Sequence, residues 1–251
     1  MTIKWNQSGD IGEMILARPE RRNAMNPELV DAAFLALAEI DRSASVRALI
    51  LSGEGPGFCA GSDLRALAEM TGEQRTAFEH ESGRLARRIA DMQMPVIAKV
   101  RGFAIGGGLT LAAACDIVVT HEESRWSLPE VPIGLFPAWG LGYVEARLGT
   151  PTARRLCFGI DSFTGAEAFR IGMADHLVDE KHLDGFTENY ARNLSKLPAE
   201  QVKVTKTYFR IKDQDVADNE AALAFDRCSR TAAARDTFEK YGGRPMPSGE
   251  R

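Results

Sequence analysis

VIAKVRGFAIGGGLTLAAACDIVV, residues 96–119, holds the pattern that decides the fold. Val96–Val100 is a short run rich in β-branched residues, bounded by Pro95 and Gly102, and reads as a buried strand. The triple glycine Gly106–Gly108 separates it from an apolar helix over Leu109–Ala114, and Ile117–Val119 starts the next strand. A polar helical stretch from about Glu73 to Met92 stops ahead of Pro95. The same order occurs upstream, where the strand Ala48–Leu51 ends at Gly53 and further glycines follow at 55, 57 and 61. Strands covered by helices in this alternation imply an α/β layer architecture.

Working outward, Ile3–Trp5 and Ile11–Leu16 read as two strands around a Ser8-Gly9-Asp10 turn. Asn26-Pro27 opens a helix as cap and first residue, with Val30, Ala33, Phe34, Leu37 and Ile40 on one face. Beyond Ala138 the pattern turns helical, over Trp139–Leu148, Pro151–Phe158 and Gly165–Ile171. Longer runs follow from about Asp179 to Leu197, Ala199 to Arg210 and Val216 to Tyr241. Arg244–Arg251 reads as a tail. No low-complexity linker intervenes, so residues 1–195 are expected to form an α/β core and 196–251 a helical region packed on it.

Composition bounds the partners. The chain has 251 residues, 44% apolar and 26% charged, ordinary for a globular protein. A net charge of −4 offers no electrostatic footprint for nucleic acid. The 31 cations are 23 Arg and 8 Lys, a bias suited to carboxylate or phosphate pairing. No run approaches the ~18 apolar residues of a membrane span. The N-terminus lacks an apolar leader segment, so a cytoplasmic location is expected. Cys59, Cys115, Cys157 and Cys228 are scattered and read as reduced thiols.

Familiar motifs fail. His121-Glu122-Glu123-Ser124-Arg125 begins like HExxH but ends in Arg, and His80, His121, His176 and His182 share no ligand spacing, so no metal is expected. There is no Gly-Lys pair for a P-loop and no GxSxG elbow, and Leu111 breaks GxGxxG.

Eight of the 23 glycines fall in two windows, 53–64 and 102–108, each after a strand and before a helix. Such turns aim unpaired backbone N–H groups beyond the strand ends, and glycine lets a ligand approach the backbone. Two donors converging on one oxygen would form an oxyanion hole, where losing one donor typically costs about 10²–10³ in rate. Either window alone also reads as a tight turn.

RPERRNAM (18–25), GFCAGSDL (57–64), GFAIGGGLTLAAACDIVV (102–119) and SLPEVPIGLFP (127–137), in this order, resemble the enoyl-CoA hydratase/isomerase family, the crotonases. FTGAEA (163–168) and GMADHLV (172–178) are similar to the same family. The resemblance implies a crotonase-like spiral of ββα units with a C-terminal helical trimerisation region, assembled as a homotrimer or a dimer of trimers. It implies an acyl-CoA thioester as substrate, with coenzyme A part of that substrate and no separate cofactor. The oxyanion donors carried over are the backbone N–H groups of Ser62 and Gly107. Arg22, Ala24, Ala60, Ser62, Asp63, Leu64, Arg65 and Gly106 would line coenzyme A or the thioester. Phe136 and Trp139 join the 65–92 region around the acyl group, and Phe238 and Lys240 match C-terminal residues that often hold coenzyme A.

One departure bears on the reaction. Hydratases of the family generally hold water between two glutamates. The second is present as Glu130, but Thr110 occupies the first position, and a threonine hydroxyl is no base near neutral pH. A single glutamate suffices for proton shuttling, as in Δ3,Δ2-enoyl-CoA isomerases. Hydroxycinnamoyl-CoA hydratase-lyases, with a small hydroxyl residue there, still add water, which gives Thr110 a water-positioning alternative to helix filler. The reading is therefore isomerisation or hydration of an enoyl-CoA with Glu130 as acid/base, the alternative being a silent acyl-CoA-binding homologue. Ala138 stands where the dehalogenase branch has its nucleophilic Asp. The Asn26–Ile40 helix lacks the cations of an RNA-binding branch.

Overall fold

A computed structural model describes residues 1–242; the tail expected over Arg244–Arg251 lies outside them. In chain order the elements are β1 (Ile3–Ser8), β2 (Ile11–Leu16), α1 (Pro27–Arg42), β3 (Ala48–Gly53), α2 (Leu64–Glu69) and α3 (Gly72–Ala90). Then come β4 (Val96–Val100), β5 (Phe103–Ile105), α4 (Gly107–Ala113), β6 (Ile117–Thr120) and β7 (Arg125–Ser127). The remainder is α5 (Leu141–Cys157), β8 (Phe163–Thr164), α6 (Gly165–Ile171), β9 (His176–Leu177), α7 (Leu183–Ser195), α8 (Ala199–Tyr208), α9 (Gln214–Ser229) and α10 (Ala232–Tyr241).

A six-stranded sheet runs β1-β2-β3-β4-β6-β9, antiparallel only at β1–β2. Leu51 of β3 stands opposite Met14 on one side and Ala98 on the other, and Ala98 in turn faces Val118. The parallel strands are apolar on both faces because both are covered. One face packs against the main core, which includes Leu29, Leu37, Phe58, Leu85 and Trp126. The other, with Ile11, Ala48, Ile50, Ile97 and Val119, lies under Leu183 and Ala191 of α7.

A smaller sheet, β5-β7-β8, grows from the strand ends. The chain leaves β4 through Gly102 and enters β5, and leaves β6 to form β7, so these two turns of the spiral each supply one strand to each sheet. The 57–61 loop follows the same course and makes a parallel bridge from Cys59 to Ala104 of β5. The expected α/β architecture is what forms.

Helices begin where the sequence caps them. Asn26 accepts from the Leu29 N–H at the start of α1, and Thr71 and Gln74 form a reciprocal capping box on α3. Inside α3, Ser82 Oγ bonds back to the Phe78 carbonyl at 2.9 Å. Short elements escape the sequence reading: α2, β5, β7, β8 and β9. The single run expected over Val216–Tyr241 is two helices, divided where Thr231 caps α10. The 195/196 boundary falls between α7 and α8, and Phe225 and Phe238 beyond it share the main core.

Two glycines make the packing testable. A Cβ on Gly108 would lie 2.2 Å from the Cys59 carbonyl oxygen, because α4 docks directly on the 57–61 loop. Gly72, at the start of α3, has nothing within 4 Å of the same position. In urea denaturation Gly108→Ala is expected to cost about 2 kcal/mol or more. Gly72→Ala is expected to gain about 0.5 kcal/mol by restricting the unfolded chain.

Candidate active site

The two glycine windows meet backbone to backbone. Gly61 has a positive φ of 83°, and a Cβ there would fall 2.9 Å from the Ile105 carbonyl oxygen and 3.0 Å from the Gly107 nitrogen. Gly106, at φ 56° and ψ −128°, makes the sharp entry into α4, which leaves Gly107 as its first residue. Neither the Ser62 nor the Gly107 N–H donates to any acceptor among the described residues. Their neighbours are committed: the Met25 N–H donates to the Gly61 carbonyl at 2.7 Å and the Asp63 N–H to the Met25 carbonyl at 2.7 Å.

The 18–25 segment clamps this arrangement. Buried Asn23 donates through Nδ2 to the Glu54 and Gly57 carbonyls, both at 2.9 Å. Arg18 pairs with Asp63 at 3.0 Å and also donates to the Ala24 carbonyl. Asp63 in turn caps α2 by accepting from the Arg65 N–H at 3.1 Å. Arg22, in the left-handed region at φ 53°, accepts from the Ala60 N–H and lays its guanidinium 4.4 Å from the centre of the Phe103 ring.

Of the residues expected at the site, Ala60, Ser62, Leu64, Gly106, Gly107, Thr110, Glu130, Phe136 and Trp139 line one pocket. Arg22, Ala24, Asp63 and Arg65 are not in its wall, and the first three of these shape the loops as just described. Phe238 packs beneath Arg75, 3.8 Å from ring centre to guanidinium, and Lys240 lies over Tyr241; neither lines the pocket. Thr110 is buried and donates to the Gly107 carbonyl at 3.1 Å, which leaves its oxygen as an acceptor toward the pocket.

Glu130 follows Pro129 and opens a short 3-10 turn. Its Oε2 is enclosed and has no hydrogen-bond partner among the described residues. Its Oε1 sits where a Cβ on Gly106 would be, 2.6 Å away, so glycine at 106 is what admits the carboxylate beside the α4 entry. Burial pushes the Glu130 carboxyl up to about 8, and the nearby charge of Glu79 adds to the rise.

Glu79 is a second carboxylate in the same pocket, from α3. It is 3% exposed. Ser62 Oγ donates to its Oε1 and Trp139 Nε1 to its Oε2, each at 2.9 Å. Burial raises its carboxyl to about 7 against the opposing effect of those two hydrogen bonds. Trp139 reaches it as a wedge, its Cβ facing Gly83 of α3 and its ring edge facing Gly107, where a Cβ would come within 3.0 and 2.9 Å respectively. The backbone beside it is fixed because the Gly140 N–H donates to buried Asp218 of α9, which also pairs with Arg87 of α3.

Family motifs leave this site with one glutamate, and Glu79 belongs to none of them. A signal exists in helical spacing. Phe78, Glu79, Ser82, Leu85, Ala86 and Ile89 are the buried stripe of α3, so Glu79 stands on the inward face of a helix that reads as polar in its overall composition.

Two unpartnered N–H groups and an enclosed carboxylate around one pocket suit chemistry that builds negative charge on a carbonyl oxygen. Residues 6–239 match the family model described as enoyl-CoA hydratase/isomerase, and the chain belongs to that family. It is 31% identical over 242 residues to the short-chain-enoyl-CoA hydratase of Clostridium acetobutylicum, covering 94% of this chain and 92% of that protein. It is 30% identical to the 1,2-epoxyphenylacetyl-CoA isomerase of Escherichia coli, covering 85% and 83%. The fold matches the crystal structure of an enoyl-CoA hydratase/isomerase from Mycobacterium paratuberculosis with a TM-score of 0.87 at 24% identity, over 95% of this chain and 98% of that one. The fold is thus the crotonase fold expected from the motifs. Among the described residues no helix is long and apolar enough to cross a membrane.

The carboxylates give a stability signature. Folded Glu130 keeps its proton up to about 8, whereas an unfolded glutamate releases it near the ordinary 4.5. Over that interval the folded state binds more protons, so stability falls as pH rises and levels off above about 8. Glu130→Gln removes this dependence. In calorimetric melts its Tm relative to the parent protein is expected to climb from pH 5 to pH 9.

Proposed function

We propose that this chain isomerises or hydrates an enoyl-CoA thioester by way of a thioester enolate. The thioester oxygen sits between the Ser62 and Gly107 N–H groups, and Glu130 moves a proton at the substrate carbon next to the thioester. The observation that carries this reading is an enclosed, unpartnered carboxylate oxygen in the same pocket as the two unpartnered N–H groups. Abstraction of an α proton places charge on the carbonyl oxygen, and fixed donors stabilise it without reorganising. Burial makes Glu130 a stronger base once ionised than an exposed glutamate. Ala60 and Leu64 would border the thioester, and Phe136 and Trp139 the acyl group, with coenzyme A extending outward past the 22–24 and 63–65 segments. Cytoplasmic location and assembly as a trimer or paired trimers accompany this reading as proposals drawn from the family resemblance.

Nuclear magnetic resonance of butanoyl-CoA incubated with the protein in D₂O tests the chemistry through α-proton exchange. Glu130→Gln is expected to slow exchange by about 10²–10⁴-fold, while affinity for the CoA ester stays within a few-fold. Undiminished exchange in that variant would refute the assignment, and an active site that binds the ester without exchange in the parent protein is the silent homologue. The parent rate constant for exchange is expected to rise with pH through about 8, because the working form of Glu130 is the ionised one.

A further inference from the structure

Proton transfer at the α carbon uses Glu130 and leaves the other carboxylate of the pocket without a task. We propose that Glu79 is a second catalytic carboxylate, which takes a proton from water as the oxygen of that water adds to C3 of a trans-2-enoyl-CoA. The proposal rests on the reading of the preceding section and assigns hydration, with its reverse dehydration, as the reaction of the same site.

The first ground is cost. Among the described residues neither Glu79 nor Glu130 is ion-paired with a Lys, Arg or His. Burying one carboxylate without a cation is expensive, and burying two around one pocket adds their mutual repulsion. A leucine, methionine or glutamine would fill the Glu79 position without that penalty, so packing alone does not account for the acid.

The second ground is orientation. Ser62 and Trp139 each occupy one acceptor position on a different oxygen of Glu79. A carboxylate offers about four such positions. The group is therefore held in place with acceptor capacity remaining for a water. Thr110 donates its own proton to the Gly107 carbonyl, so its oxygen can receive the second hydrogen of that water but cannot act as the base.

The third ground is asymmetry. Two hydrogen bonds stabilise the ionised form of Glu79, whereas Glu130 Oε2 has none. When the pair holds a single proton, it resides on Glu130. That is the division hydration requires: an ionised base for water and a protonated acid for C2. In the step, a water O–H bond breaks and its proton passes to Glu79, while the oxygen forms a bond to C3. The C2=C3 electron pair moves through the enolate held by Ser62 and Gly107 and takes the proton of Glu130 at C2. Solvent then returns the proton from Glu79 to Glu130, so the net change is addition of one water.

The test compares crotonyl-CoA hydration with α-proton exchange of butanoyl-CoA. Glu79→Gln retains size and can still accept from Ser62 but is no base. Its hydration rate is expected to fall by about 10²–10⁴-fold, at least tenfold more than its exchange rate. Equal losses, or hydration within a few-fold of the parent, overturn the proposal. The parent pH profile for hydration is expected to be bell-shaped, with Glu79 on the acid limb and Glu130 on the alkaline limb. Charged groups on elements packed against α3 include Asp218, paired with Arg87, Asp226 of α9 beside Thr76, and Asp41 of α1, paired with Arg88; Glu79 and Glu130 are the charged residues in the pocket wall among the described residues. Trp139→Phe removes one donor from Glu79 and is expected to move the acid limb to higher pH. An unmoved limb overturns the assignment even if Glu79→Gln fails to fold. A parent protein that exchanges α protons but hydrates no trans-2-enoyl-CoA overturns the role of Glu79 alone. One that does neither overturns the enolate reading as well.

Discussion

Everything at this site depends on two stretches of backbone touching where side chains would ordinarily stand. The 57–61 loop lies against β5 and the start of α4 at distances that exclude a Cβ at Gly61 and Gly108, and the Phe103 ring fills the place of one at Gly57. That contact holds the Ser62 and Gly107 N–H groups on one pocket, with Asn23 and the Arg18–Asp63 pair fixing the loop from outside. The spiral of ββα turns is the means of producing it. Successive turns place equivalent strand-to-helix connections side by side, and glycine lets them approach more closely than any other residue could.

The electrostatic character of the pocket follows from what surrounds it. Its donors are neutral backbone amides, a hydroxyl and an indole, and among the described residues its two acids have no cation beside them. In such surroundings the carboxyls are pushed toward neutral pH, with Glu130 above Glu79 because it lacks the partners that Glu79 has. Charge that develops on a substrate oxygen there is felt strongly by fixed dipoles, since little water screens it. The same desolvation weakens the folded state when the acids ionise.

Much of this was legible in the residues themselves. Periodicity and caps locate α1, α3, β3 and β4, because each is long enough or sharply enough bounded to carry its own signal. The short strands β5, β7, β8 and β9 owe their existence to pairing between distant segments, and two or three residues carry no periodicity of their own. In the site, the motif blocks point to Ser62, Gly107 and Glu130, which the fold brings to one pocket. Glu79 stayed hidden for a different reason. It lies in no motif, and its place in the pocket arises only when α3 turns that face against Trp139 and the 62 position. Arg22, Ala24 and Asp63 belong to the motif blocks, yet they are tied into loop geometry rather than facing the pocket.

Gly83 ties the turn that carries Glu79 to Trp139. It sits mid-helix in α3, one turn from Glu79, to make room for Trp139. A glycine there weakens a helix by roughly 1 kcal/mol relative to alanine, and the back-bonded Ser82 next to it favours bending. The turn that carries Glu79 therefore takes its support from the indole packed on it rather than from helix propensity, while the amide side of the pocket is pinned by short backbone hydrogen bonds at Gly61 and Asp63. Trp139 thus serves two ends at once, filling the space that Gly83 leaves open and donating to the Glu79 carboxylate.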